Sequence, residues 1–308
     1  VGGGVPPEIF DPVFDRWRSI AAGSVAFEFA SAQLLADGRV IVTGSTVGNP
    51  TNAEIYDPVT TTWETTGRMA FDRVMHSSIR LADGRVLVAG GYFGGQSAVI
   101  SELYDPAAGS WSPVGDIGFE EVPGLALLPN NEVLLVGKRI TRIFNPVTER
   151  WRRISDLGHE HRFGATVALA DGRVMVIGGE GTAETEVFDP DLNLWRQGPA
   201  MNAIRAVPSA VVLPSGHVVA CGGADRFWRI DSKAEVLDPA TGAWTEIQPM
   251  AEPRLAHTIS VLHDGSIVVT GGTAAVLEEP YHGVATAERF LNPAQAAPTR
   301  AASGRLLP

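Results

Sequence analysis

The residues best suited to chemistry in this chain are cationic and recur at similar intervals: Arg73 with His76, His161 with Arg162, Arg205, and Arg254 with His257. Planar guanidinium groups gathered in one place would hold a carboxylate or another small anion through paired hydrogen bonds. A second reading competes. Glu8, Glu54, Glu102, Glu186, Glu235 and Glu288 recur as regularly, so cation and anion could be repeating partners that hold adjacent loops. Glu120 and Glu121 stand where an arginine is expected, and Arg142 stands where a glutamate is; this swap fits reciprocal pairing at least as well as an active site.

Other groups offer less. His159-Glu160-His161 contains the one close histidine pair, which on a strand could take a metal with a third ligand but in a surface loop is simply solvated. Cys221 is the single cysteine, which excludes an intrachain disulfide or a cysteine-cluster metal site, and it lies in the apolar run 218–222 as a small buried residue would. The glycine pairs close apolar runs instead of opening helices, so they are not phosphate-binding fingerprints. Candidate contact residues stand out in three long loops: Tyr92 and Phe93; Arg226, Trp228 and Arg229; and Tyr281 with His282. Arginine beside an aromatic ring in a long loop suits a recognition hot spot. The alternative is that Phe227 or Trp228 folds back to pack.

A repeat must position these residues. A turn motif occurs as Asp37-Gly38, Asp83-Gly84, Asn130-Asn131, Asp171-Gly172, Ser215-Gly216 and Asp264-Gly265, at spacings of 41 to 49 residues. Each is flanked by short Val- and Leu-rich runs that suit strands covered on both faces, with positive φ expected at both central positions of the turn. A second motif ends in Asp-Pro or Asn-Pro, and a tryptophan follows the proline by five residues at Trp17, Trp63, Trp111, Trp151, Trp195 and Trp244. Only Trp228 of the seven tryptophans is off this beat. Four short strands per repeat, with no helical periodicity, predict an all-β propeller of four-stranded antiparallel blades.

These residues resemble kelch repeats, most closely the variety common in bacterial proteins that reads Leu81-Ala82-Asp83-Gly84-Arg85 and then Gly90-Gly91. The resemblance covers essentially the whole chain and implies a galactose-oxidase-like propeller. Six turn hairpins, six on-beat tryptophans and seven third-strand motifs predict seven blades in one domain, 1–308. The last blade would be closed by strands from both termini, with Val1 to Gly4 meeting 303–307; six blades with an added hairpin is the alternative. Strand alternation puts the stereotyped turns on one face and the variable loops on the other, where binding usually lies. The recurring arginines would then sit at a channel mouth.

The resemblance also brings enzymes to test. A galactose-oxidase-like copper site needs a Cys linked to a Tyr, with His and further Tyr ligands. Here Cys221 sits in an apolar strand, and Tyr56 and Tyr104 fill the repeat's aromatic position. The iron motif of nitrile-specifier proteins is not found. Arg73, Arg162, Arg205 and Arg254 with Glu120 or Glu121 could mimic the Arg and Glu of kelch-type sialic-acid mutarotases.

With 24 Lys+Arg against 35 Asp+Glu the net charge is −11, which argues against nucleic acid or an anionic membrane surface as partner. No apolar run is long enough for a membrane-spanning helix. The first residue is Val, so a processed form or an excised domain is expected, and the compartment stays open. The expectation is a non-catalytic scaffold that holds a protein, peptide or glycan on the variable-loop face, probed through Arg226, Trp228, Arg229, Phe93, Tyr281 and the Arg/His group. A small-molecule enzyme or binding site for an anionic sugar or carboxylate at the channel mouth is the alternative. No cofactor is expected, and the chain should be monomeric.

Overall fold

The computed structural model describes residues 7–24, 29–44, 52–93, 96–118, 122–274, 283–284 and 286–291. Every regular element among them is a β-strand. A two-stranded hairpin, Glu8–Asp11 with Arg16–Ser19, comes first. The first blade is Ser31–Leu34, Val40–Thr43, Ala53–Asp57 and Thr62–Thr65. The second is Ser77–Arg80, Val86–Ala89, Ile100–Asp105 and Ser110–Asp116, with Tyr92–Phe93 and Gln96–Ser97 forming a small ribbon beside it. The third is Gly124–Leu127, Val133–Val136, Thr141–Asn145 and Arg150–Arg153.

Blades four and five repeat the plan with Ala165–Ala168, Val174–Ile177, Thr185–Asp189 and Leu194–Gln197, then Ser209–Val212, Val218–Cys221, Ala234–Asp238 and Ala243–Ile247. The sixth has three described strands, Thr258–Val261, Ile267–Thr270 and Ala287–Phe290. Strand order within each blade follows the chain and all pairing is antiparallel. Six blades replace the expected seven, because the N-terminal third-strand motif forms a separate hairpin. The proposed closure by 1–4 and 303–307 lies outside the described residues. The chain divides into two compact units, 1–137 with 141–153 and 138–140 with 154–308, and three blades fall in each.

The turn chemistry differs in one respect from expectation. The Asp-Gly hairpins have three-residue loops: Leu35 N–H donates to the Arg39 carbonyl at 2.8 Å and Gly38 N–H to the Leu35 carbonyl at 3.2 Å. Only the glycine has positive φ, 89° at Gly38. This is a tight turn followed by one left-handed residue, for which glycine has no steric penalty.

The second strands are almost wholly buried, since both faces meet neighbouring strands: Val86, Leu87, Val88 and Ala89 have no exposure at all. On the third and fourth strands an aromatic faces the repeat tryptophan directly across the register, as in Tyr56–Trp63, Tyr104–Trp111 and Phe188–Trp195, with rings 5.0 to 5.3 Å apart. The indole N–H then reaches back about one repeat: Trp63 to the Ala21 carbonyl at 2.8 Å, Trp111 to that of Gly67 at 2.9 Å, and Trp244 to that of Pro199 at 2.8 Å. Trp63, Trp111 and Trp244 thus fill apolar space and latch their strands to the chain that precedes their blade, while Trp151 donates instead to the Ser101 hydroxyl at 2.7 Å.

Candidate functional site

The recurring arginines are interior groups. In the second blade Arg73 Nη2 donates to Glu102 Oε1 at 2.9 Å and to the Ile100 carbonyl at 2.7 Å, and Nη1 donates to the Gly90 carbonyl at 3.0 Å. Neither side chain of that pair is exposed. Arg205 repeats this with Glu235 at 2.9 Å and the Gly222 and Lys233 carbonyls at 3.0 Å. Arg254 does so with Glu288 at 3.2 Å and the Gly271 and Thr286 carbonyls at 2.8 and 2.9 Å. The glutamates also accept backbone N–H groups from the segment that enters the first strand: Ala70 at 2.6 Å for Glu102, Asn202 at 2.7 Å for Glu235, and Ala251 at 2.6 Å for Glu288. Arg73, Arg205 and Arg254 therefore hold loops in place and present no open anion site.

In the fourth blade the structural position belongs to His161, not Arg162. His161 is buried, with Nε2 3.2 Å from Glu186 Oε1 and Nδ1 2.6 Å from the Gly178 carbonyl. His159 also approaches Glu186, at 3.4 Å, and among the described residues no group of three His, Cys, Asp or Glu could hold a metal ion. In the third blade Arg142 donates to the Ile117 carbonyl at 2.8 Å, while Glu120 and Glu121 lie outside the described residues.

His76 and His257 stand three residues after their arginines and point into the interior. His76 Nε2 meets Thr43 Oγ1 at 2.7 Å and His257 Nε2 meets Cys221 Sγ at 3.3 Å, and both Nδ1 atoms are buried without a partner. Burial, reinforced by the neighbouring arginine, pushes His76 down to about 3 and His257 down to about 4. Burial pushes the Cys221 thiol up to about 12, so it supplies no thiolate for nucleophilic attack or metal ligation. Close approach explains the adjoining glycine: a Cβ on Gly222 would lie 2.5 Å from His257 Cε1.

A cluster of exposed and half-buried cationic and aromatic groups lies in the second unit. Segment 225–229 is a hairpin of the same three-residue type as the Asp-Gly turns. Asp225 N–H donates to the Arg229 carbonyl at 3.0 Å and Trp228 N–H to the Asp225 carbonyl at 2.9 Å. The left-handed position held by glycine in those turns is held here by Trp228, with φ of 58°. A bulky residue there costs roughly 1–2 kcal/mol. Asp225 braces the turn by accepting the backbone N–H groups of Phe227 and Arg229, and it pairs with the Arg229 side chain at 2.9 Å.

Phe227 is 62% exposed and lies under two guanidinium groups, Arg226 at 4.7 Å and Arg229 at 5.1 Å from the ring centre. Trp228 meets the edge of Phe163 at 6.1 Å, and Arg162 covers Phe163 at 4.5 Å while pairing with Glu180 at 3.3 Å. The sequence reading identified Arg162, Arg226, Trp228 and Arg229 but not Phe163. No sequence signal marked it: Phe163 takes the left-handed conformation that Phe29, Met75, Val207 and Ala256 also take two residues before the first strand of their blades. Tyr92 is exposed in the second blade, Phe93 follows it on the strand, and Tyr281 and His282 lie outside the described residues.

A profile of the Kelch motif matches residues 205–251, which span the fifth blade. No curated protein matches. Among solved structures the chain is similar to a fungal alcohol oxidase of the AA5 family in complex with copper, with a TM-score of 0.76 at 22% identity over 90% of this chain. The chain spans 66% of the length of that protein. The chain thus carries a kelch motif in its fifth blade and shares a β-propeller fold with that oxidase. This corrects the expectation of a non-catalytic scaffold, because the shared fold is that of a catalytic protein; the kelch motif by itself is compatible with either role.

The copper of that neighbour can be tested against the donors of this chain. Cys221 is buried against His257, and the Tyr104 hydroxyl is bonded to Thr66 at 2.7 Å in a strand pair. The described residues do not fit a copper site.

Proposed function

We propose that this propeller handles a small molecule, and that the cluster of Arg162, Phe163, Arg226, Phe227, Trp228 and Arg229 holds a ligand combining a carboxylate with a flat apolar face. The observation that carries this reading is Trp228 in a left-handed turn position that the blade hairpins fill with glycine or, at Asn131, with asparagine. A costly conformation that presents an indole at a loop tip, beside a second strained aromatic and several arginines, is expected where the side chain is needed. Guanidinium groups already stacked on rings supply donors for the carboxylate, and the rings supply the apolar face. The alcohol oxidase on the same fold supports a small-molecule role, without its copper chemistry.

The test is titration with 2-naphthoate, followed by indole fluorescence and calorimetry, with 2-naphthylmethanol as the uncharged control. The naphthoate binds, the alcohol binds at least tenfold more weakly, and Trp228→Ala weakens naphthoate at least tenfold while the protein remains folded. Equal affinity of Trp228→Ala and the unaltered protein would overturn the reading.

A further inference from the structure

The first unit carries a different irregularity, at the end of the blades where the Asp-Gly turns lie. The last residue of the first strand is apolar in five blades, as Leu34, Leu127, Ala168, Val212 and Val261, but is Arg80 in the second. Arg80 is exposed, and its guanidinium makes no hydrogen bond or ion pair among the described residues. Beside it lies a half-open surface hollow of about 240 Å³, lined by Ala36, Leu81, Ala82 and Leu127 with Asp83 at its edge. The first residue of the turn is alanine in two consecutive blades, Ala36 and Ala82, and both line the hollow. The Asp83 carboxylate does not neutralise Arg80, since it is held by Arg85 at 2.7 Å, which in turn pairs with Glu149 at 2.6 Å.

We infer that this hollow is a second binding site, for a small aliphatic carboxylate whose charge meets Arg80 and whose short branched chain fills the space between Ala36, Leu81 and Leu127. An unpaired guanidinium at the mouth of an apolar hollow provides both halves of such recognition: planar donors for the carboxylate and a surface that gains by exclusion of water. The volume suits a ligand smaller than a drug-sized molecule. The site shares no residue with the Trp228 cluster, so the two stand or fall separately.

The probe is 3-methylbutanoate, observed by saturation-transfer NMR on the whole chain, with 3-methylbutan-1-ol as the uncharged control. The carboxylate shows transfer and a dissociation constant of about millimolar, as expected for a ligand of this size. Arg80→Leu installs the residue found at this position in the first and third blades, so it keeps the fold and weakens binding at least tenfold. Ala36→Phe fills the hollow while retaining Arg80 and abolishes the transfer. Trp228→Ala leaves it unchanged. Absence of transfer from the unaltered protein, or equal binding by Arg80→Leu at an unchanged melting temperature, would overturn the site.

Discussion

Arg73, Arg205 and Arg254 share a residue type with Arg162, Arg226 and Arg229, yet the two groups differ in almost every physical respect. The first three are buried, each bonded to a glutamate and to two carbonyls, and they recur in register with the blades. The other three lie on loops, stack on rings and do not recur as arginines from blade to blade. A guanidinium that recurs at every turn of a repeat is part of its architecture. One that departs from the repeat, and that sits with an aromatic held in a strained conformation, is where function is to be sought.

The sharpest way to break this comparison is to remove one member of each group. Arg205→Met leaves Glu235 buried without its cation and is expected to cost about 3–5 kcal/mol. Arg226→Ala removes an exposed side chain and should cost less than about 0.5 kcal/mol. Urea unfolding measures both, and similar losses for the two variants would erase the distinction.

Next in size is the pH dependence built into the same buried layer. His76 and His257 are held neutral, with folded-state values near 3 and 4 against about 6.5 when unfolded. As pH falls below about 6.5 the unfolded chain takes up protons that the folded chain refuses. Stability is therefore complete above that value and declines towards pH 4, by roughly 2 kcal/mol for each histidine at pH 5. His257→Gln should lose about 2 kcal/mol less than the unaltered protein between pH 7 and pH 5. Equal pH sensitivity would remove His257 from this account.

The fold was legible because its determinants are local and repeated: Asp-Gly turns, paired glycines, Asp-Pro turns and a tryptophan five residues later. The pairing of Arg73 with Glu102 and of Arg205 with Glu235 was legible for the same reason, since two charges that recur together are expected to meet. Blade count was not, because the third-strand motif at Glu8 marks a strand without telling which sheet it joins. Nor was the exchange of roles between His161 and Arg162. Adjacent residues compete for one interior position, and only the register of the following strand decides which of them faces Glu186. Phe163 went unnoticed because its importance lies in a backbone angle that the sequence does not display.

A smaller effect tests whether the repeat tryptophans are latches as well as fillers. Trp111→Phe keeps an aromatic ring against Tyr104 but loses the bond from the indole to the Gly67 carbonyl. About 1 kcal/mol of destabilisation is expected from the bond, with a further small contribution from lost ring volume. Trp17, which heads no described blade contact of this kind, provides the comparison: Trp17→Phe should cost less in the same urea titration.

The last prediction has the smallest effect on stability. Trp228→Gly restores glycine to the left-handed position of a three-residue hairpin, relieving roughly 1–2 kcal/mol of backbone strain. It also forfeits the edge contact with Phe163, worth about 0.5–1.5 kcal/mol, and adds glycine's freedom to the unfolded chain. These contributions nearly cancel, so the melting temperature should hardly move. A tryptophan retained for packing would instead make this substitution clearly destabilising, as Arg205→Met is. A stable Trp228→Gly protein that no longer binds 2-naphthoate would mean that the strain at 228 is maintained for the ligand and not for the fold, which is the difference between the two groups of arginines expressed in a single residue.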